Sequence, residues 1–250
     1  MLSGRMRFSH EALLELARRT EEPLREEQLE GGVLSVWEEP ARAGRYVAGV
    51  DTAEGLLKGD YCACCVLDYY SGREVAVLHG KWDPAVFAGL VASLCTRYND
   101  AFLGVERNGR GHAVLLALAT LHQHPCLYAH QHYDAVGLPQ ERPGWVTDSR
   151  SKPIMIDALA MSILERRPWR SAAFLGECMT YVVDEKGGTG ASGTTHDDLV
   201  MSYGIAEMMR RFVPPHQEVV SLHTELATLM DEAEWERLAG VFGGHVDPRY

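Results

Sequence analysis

The sequence predicts an α/β fold built on a mixed sheet, an antiparallel meander plus parallel strands, flanked by helices. Three observations carry this. In residues 45–51, Val47, Ala48 and Val50 form an apolar run bounded by turn signals and ending in Asp51, the pattern of a strand buried on both faces. Residues 61–70 and 73–82 are two further strand-like runs joined by Ser71-Gly72, a tight hairpin connection, so three consecutive strands form a meander. The order helix, strand, helix, strand over 83–128 then adds the remaining layers.

Before this domain, residues 8–44 are rich in charge. They hold a helical segment over 11–19, with Leu13, Leu14, Leu16 and Ala17 apolar, and an acidic stretch over 21–30. Gly31-Gly32 and Pro40 punctuate the segment, with a short edge strand expected over 33–37. Residues 1–44 therefore read as an arm or linker leading into a domain over 45–214. Asp83 is placed to cap a helix with Pro84 at its first position, and Phe87, Leu90, Val91 and Leu94 give it an apolar face. A short apolar strand, 101–106, again ends in a carboxylate, Glu106; a helix over 109–122 and a strand near 126–128 follow. Residues 129–150 show no sustained period and are interrupted by Gly137, Pro139, Pro143 and Gly144, as in an irregular functional insertion. A helix over 151–166, a strand over 178–184 and a Gly/Thr/Ser loop over 186–195 lead to His196-Asp197-Asp198, which opens a long helix reaching about Phe212. A helical tail over 215–250 has Leu222, Leu226, Leu229, Trp235, Leu238 and Phe242 at near-helical spacing.

Composition excludes several classes. The 250 residues with 46% apolar content bury one large core or two modest ones, and no run is long enough to span a bilayer. The amino end lacks the apolar stretch of a signal peptide. The six cysteines lie largely in apolar patterns and read as reduced thiols of a cytosolic protein; Cys62 and Cys64 share one strand face as small hydrophobes. A net charge of −11 argues against a protein held on nucleic acid by general positive charge.

Acids at the ends of these elements carry the functional signal. If the strand ending at Glu106 lies parallel to that ending at Asp51, both carboxylates leave the same edge of the sheet, where ligands gather in open α/β folds. A helix starting at Asp197-Asp198 can bring its first turn over that edge. Clustered carboxylates repel one another and raise their own pKa values, so such a group suits a hard cation such as Mg²⁺ or Mn²⁺. Two ions roughly 3.5–4 Å apart can clamp the attacking and leaving oxygens of an in-line displacement at phosphorus. Each acid alone has an ordinary explanation: Asp51 as a turn residue, Glu106 as a strand-end residue, and Thr195-x-x-Asp198 as a capping-box-like helix start. The combination is what points to catalysis.

The residues also carry a resemblance. Tyr46-Val-Ala-Gly-Val-Asp51 with Gly55 and Asp60-Tyr61, then Gly104-Val-Glu106-Arg-Asn108-Gly-x-Gly111, then Thr147 with Lys152-Pro153, then His196-Asp197-Asp198, together resemble the nuclease domain of tailed-phage large terminase subunits. The likeness runs over about 8–212 in the same order. It implies a ribonuclease H-like fold and metal-dependent endonuclease cleavage of concatemeric phage DNA during genome packaging, with two Mg²⁺ or Mn²⁺ ions, in the host bacterial cytoplasm. By that resemblance Asp51, Glu106 and Asp198 are metal ligands and catalytic, with Asp197 and Asp60 supporting or sharing coordination. Arg107 and Asn108 sit beside the acid on a DNA-facing edge, and Lys152 faces the phosphate or the site. Implied partners are double-stranded DNA, a packaging ATPase domain of the same full-length chain, and a portal or procapsid and small terminase. No Gly-x-x-x-x-Gly-Lys-Ser/Thr motif is present, and Gly80-Lys81-Trp82 is not one, so the expectation is a nuclease half with its linker.

Weaker signals remain. Arg142, Arg150, Lys152 and Lys186 are candidate phosphate contacts against a background of solvated surface. His122, His124, Cys126, His130 and His132 cluster soft ligands at spacings that match no standard zinc pattern, so ordinary loop histidines are expected. Competing functions are a Holliday-junction resolvase or transposase core of the same fold, an actin-like ATPase, whose second Asp-Gly phosphate turn and Gly-rich adenosine motif are not evident, and a non-catalytic docking module whose acids hold a structural cation.

Overall fold

The computed structural model describes residues 4–52, 61–133, 138–184, 187–193 and 195–213. Along the chain come β1 (Arg5–Met6), α1 (His10–Ala17), β2 (Arg25–Leu29), β3 (Gly32–Val36), β4 (Tyr46–Asp51), β5 (Cys62–Asp68) and β6 (Glu74–Gly80). Next are α2 (Pro84–Arg97), β7 (Phe102–Val105), α3 (Gly111–Thr120), β8 (Ala129–Tyr133), β9 (Pro139–Pro143) and α4 (Ser151–Leu164). The chain continues through α5 (Ala172–Thr180), β10 (Tyr181–Val183), β11 (Thr189–Ala191) and α6 (Asp198–Phe212).

Six strands form the main sheet in the order β2-β3-β6-β5-β4-β7, antiparallel throughout except for the parallel β4–β7 pair. The meander and the parallel β7 are as the sequence predicts. Successive side chains of a strand point to opposite faces, and each face has its own core. Ala48, Val50, Cys62 and Cys64 pack with α2 and α3, while Val47, Ala63, Cys65 and Leu67 pack with α1, α4, α5 and α6. Asp51 shares the parity of Val47 and so points to the α6 side. Asp83 caps α2 by accepting the Ala85 N–H at 3.3 Å, with Pro84 opening the helix. All six cysteines are free, five of them buried.

Helix α6 is buried from Asp198 to Met209. It seats closely because Gly49 of β4 lies in register with Gly104 of β7. A methyl at Gly49 would overlap the Ser202 carbonyl and the Ala206 amide, and one at Gly104 the Met209 side chain. Glu207, buried in the same helix, is held by Arg167 and Arg210.

The structure differs from expectation in four places. The charged segment read as an arm contributes a hairpin: β3 pairs with β6 in the main sheet, β2 extends it, and β1 pairs with β10. Charge suits this position, because β2 is an edge strand whose side chains alternate between half-buried and exposed. Residues 129–150 hold a two-stranded ribbon, β8–β9, in place of a wholly irregular insertion. Residues 178–180 close helix α5, and only Tyr181–Val183 is strand, paired to β11 inside the predicted loop. Thr195-x-x-Asp198 forms no capping box: the Thr195 hydroxyl donates to the Ser192 carbonyl at 2.6 Å, and Asp197 is the N-cap. Three expectations, Asp60 as a supporting acid, Lys186 as a phosphate contact and the helical tail beyond 214, lie outside the described residues.

Glu74 is fully buried beneath α6 and receives a 3.0 Å hydrogen bond from the Tyr203 hydroxyl. Burial pushes its carboxyl up from the ordinary 4.5 to about 7, against the Tyr203 hydrogen bond, which lowers it. Between those values the unfolded chain releases a proton that the native state keeps, so stability falls as pH rises through the window and levels off above it. At about 1.4 kcal/mol per pKa unit the full effect is on the order of 3 kcal/mol. Glu74→Gln is expected to remove this slope, so that denaturant titrations at about pH 5 and about pH 8 show the variant gaining on the wild type at the higher pH. Gly49→Ala is expected to cost at least ~1–3 kcal/mol by overpacking α6 against β4, read as a lower denaturation midpoint.

Candidate metal-binding active site

Parallel pairing of β4 and β7 brings Asp51 and Glu106 side by side. Val50 lies opposite Val105, and the Glu106 N–H donates to the Val50 carbonyl at 2.8 Å. Both acids therefore leave the carboxyl edge of the sheet together. Asn108 steadies the second: its Nδ2 donates to the Thr147 carbonyl at 2.8 Å and lies 3.4 Å from Glu106 Oε1. Across the meander, Asp51 pairs with Ala63 and Ala63 with His79, which puts Asp51, Ala63 and His79 in one row on the α6 face.

The first turn of α6 comes over this row. Asp197 makes no side-chain cap bond. Its customary task is done from another helix: Glu177 of α5 accepts the Leu199 and Val200 N–H groups on Oε2 at 2.9 and 3.1 Å. A carboxylate here also meets the positive end of the helix dipole. Both aspartates remain turned toward the acids of the sheet: Asp51, Glu106, Asn108, Lys152, Asp197 and Asp198 line one cleft of about 900 Å³.

Electrostatics mark the same place. Burial pushes Asp51 well above the ordinary carboxylate range, and the hydrogen bond to Glu106 and the charges of Glu106, Asp198 and Asp197 push it further. Burial likewise raises Glu177 to about 8, with Asp198 and Asp197 adding to the rise and the two backbone N–H groups opposing it. Burial, and then His196, lower His79 to about 4. His196 Nδ1 stands 3.7 Å from Asp198 Oδ2. Among the described residues, the buried hydroxyls of Thr52 and Thr147, both lining the cleft, have no hydrogen-bond partner. Uncompensated acids with orphaned oxygens around them are a donor set that fits a divalent cation.

The candidate phosphate contacts divide. Asn108 and Lys152 line the cleft, whereas Arg107 is half-buried, Arg142 lies exposed on β9 and Arg150 is exposed at the start of α4; none of these three lines it. His124 is a buried core histidine whose Nε2 lies 3.1 Å from the Ala101 carbonyl. Sequence reasoning missed Glu177 and His79. Glu177 lies just before the segment read as strand, in a stretch assigned to no element, and His79 is a polar residue in a mostly apolar run, with nothing local to set it apart.

Fold and site together define a class, the ribonuclease H-like nucleases. A family model described as the Terminase RNaseH-like domain matches residues 48–210, and the chain belongs to that family. The large terminase nuclease from thermophilic phage G20c with bound magnesium is 18% identical over 78% of this chain and 96% of that one, with a TM-score of 0.57. The same nuclease with bound cobalt is 19% identical, covering 78% and 96%, at 0.56. The large terminase nuclease domain of Thermus phage P74-26 is 17% identical, covering 82% and 99%, at 0.56. These likenesses establish a shared fold. No curated protein matches the chain.

Glu177→Ala is expected to destabilise the protein by roughly 1–3 kcal/mol, since two buried N–H groups lose their acceptor. Glu177→Gln, which keeps an oxygen there, is expected to recover most of that loss. Denaturant unfolding of the two variants beside the wild type checks it.

Proposed function

We propose that the chain is the nuclease domain of a phage large terminase, a metal-dependent endodeoxyribonuclease that cuts concatemeric viral DNA during genome packaging. The observation that carries this is the convergence of Asp51, Glu106, Asp197 and Asp198, from two parallel strand ends and one helix start, on a single cleft. Family membership and the metal-bound nuclease neighbours support it. Asp51, Glu106 and Asp198 would hold divalent cations, Mg²⁺ or Mn²⁺ as a pair, with Asp197 and Asp60 sharing coordination. Such ions supply Lewis-acid stabilisation for an attacking water and a departing 3′ oxygen in phosphodiester hydrolysis.

The chain's own residues provide position. The β4–β7 ladder fixes the spacing of Asp51 and Glu106, and Asn108 ties Glu106 to the loop at Thr147. Lys152, in the first turn of α4 and without an ion pair among the described residues, offers positive charge to a phosphate in the cleft, while the nearby Arg7 is engaged by Asp157. Arg107, Arg142 and Arg150, outside the cleft, would serve flanking phosphates of double-stranded DNA. In this reading the full-length protein also carries the packaging ATPase, the nuclease takes in α1 and the β2–β3 hairpin together with residues 45–214, and residues 215–250 are a tail available to portal, procapsid or small terminase. It works in the host bacterial cytoplasm. Among the described residues no helix is long and apolar enough to cross a membrane.

Supercoiled plasmid incubated with the purified chain in Mn²⁺, Mg²⁺ or EDTA tests the proposal. Nicking and linearisation are expected with metal and absent in EDTA. Asp51→Asn and Asp198→Asn are each expected to lose at least about 10²-fold in rate, with melting temperatures in EDTA no lower than the wild type because like charge has been removed. Normal activity in either variant would overturn the site assignment. A chain that binds Mn²⁺ calorimetrically yet never cuts would be a cation-holding docking module.

A further inference from the structure

We infer that the structure holds a second kind of cation site beside the acidic edge, formed by His79 of β6, Glu177 of α5 and Asp198 of α6, and suited to a transition ion of the Zn²⁺ or Co²⁺ type. One ligand atom from each of these three residues lies within 4.8 Å of the other two. Ligand bonds of about 2.1 Å place donors on one ion at most roughly 4.2 Å apart, so adjustments of under about an ångström complete the shell.

Three independent features of the fold build this place. The row Asp51, Ala63, His79 puts the imidazole two strands from Asp51 on the same face, and the small Ala63 between them leaves room for the first turn of α6. His79 Nε2 is buried with no hydrogen-bond partner, a nitrogen that burial should not tolerate without a donor, an acceptor or an ion. Glu177 is fixed by the two N–H bonds on its Oε2, and it makes no ion pair among the described residues although Asp198 stands beside it. One cation answers all three. A donor set of one imidazole nitrogen and two carboxylate oxygens favours a borderline transition ion over Mg²⁺, which prefers oxygen alone. An ion here ties β6, α5 and α6 together where Asp198 enters the cleft, and so fixes a carboxylate that the acidic edge also uses. The inference rests on these positions and not on cleavage.

Zn²⁺ titrated into the full chain carrying ¹⁵N-labelled histidine, followed through the side-chain nitrogen resonances, tests it, with His79→Gln providing the assignment. The His79 resonance is expected to move to that of a metal-bound imidazole in the wild type and in Asp51→Asn. In Glu177→Gln, which keeps the helix cap but removes a carboxylate, the Zn²⁺ affinity read at His79 is expected to fall at least about tenfold. Equilibrium dialysis should count one Zn²⁺ fewer for His79→Gln, with an unchanged circular dichroism spectrum showing that it folds. A His79 resonance unmoved at saturating Zn²⁺, or one whose shift survives the combined Glu177→Gln and Asp198→Asn change, overturns the site. Full plasmid cleavage by Asp51→Asn with the His79 shift intact would remove the nuclease assignment and leave this site standing.

Discussion

The depth at which α6 lies on the sheet sets everything else at the functional edge. Two glycines, Gly49 and Gly104, stand opposite one another on neighbouring parallel strands; the backbone of α6 occupies the space a side chain at Gly49 would need, and the Met209 side chain of α6 the space at Gly104. From that contact the acids follow by simple geometry. Asp51 is two strand residues beyond Gly49, about 7 Å along the strand. Asp198 is four residues before Ser202, just over one helical turn or about 6 Å back along α6. Both steps run to the same end of the layer, so the helix that closes the core also delivers its first turn to the end of β4. Volume at Gly49 would lift the helix and open the site.

Close seating carries an electrostatic cost that the fold meets in part. Asp51 is buried beside Glu106 with the α6 aspartates over it, and the result is a carboxyl held well above its ordinary range. Glu207, equally deep in α6, is by contrast neutralised by two arginines. No arginine or lysine among the described residues is paired with Asp51 or Glu106. Leaving one group of acids unneutralised in a chain that neutralises another is the pattern expected where the counter-charge is to come from outside. The α6 dipole and Glu177 belong to the same arrangement. By taking the Leu199 and Val200 N–H groups, Glu177 relieves Asp197 of capping and leaves both aspartates for the cleft.

What could be read from the sequence, and what could not, divides along the range of the interactions concerned. Asp51 and Glu106 announce themselves locally, because each ends an apolar run at a turn, and the parallel pairing that unites them follows from the helix between the two strands. The start of α6 at Asp197-Asp198 is equally local. Glu177 is not legible: its function is a hydrogen bond to backbone 22 residues further on, and nothing in its own helix requires it. His79 matters because Ala63 lies between it and Asp51, a fact of register. The β2–β3 hairpin was hidden for a different reason. Its charges look like linker composition, yet an edge strand with one half-exposed face accommodates them, and Glu27 and Glu39 find Arg25 and Arg97. The sequence Phe174, Leu175 and Cys178 has helical spacing that the neighbouring β-like Tyr181-Val182-Val183 obscured.

A protein with net charge −11 has no general attraction for a polyanion, so any grip on nucleic acid must be local. The cleft itself is acidic and would repel a phosphate unless cations stood between them. Lys152, at the rim, is too little to reverse that sign alone. For the function proposed above, affinity for substrate and occupancy of the acids by metal would be one linked equilibrium: each ion that entered would lower the repulsion a phosphate meets, and each phosphate would supply the ion with further oxygen ligands. Nucleic-acid binding governed in this way would depend on divalent metal even where no bond is cut, unlike binding through lysine and arginine alone.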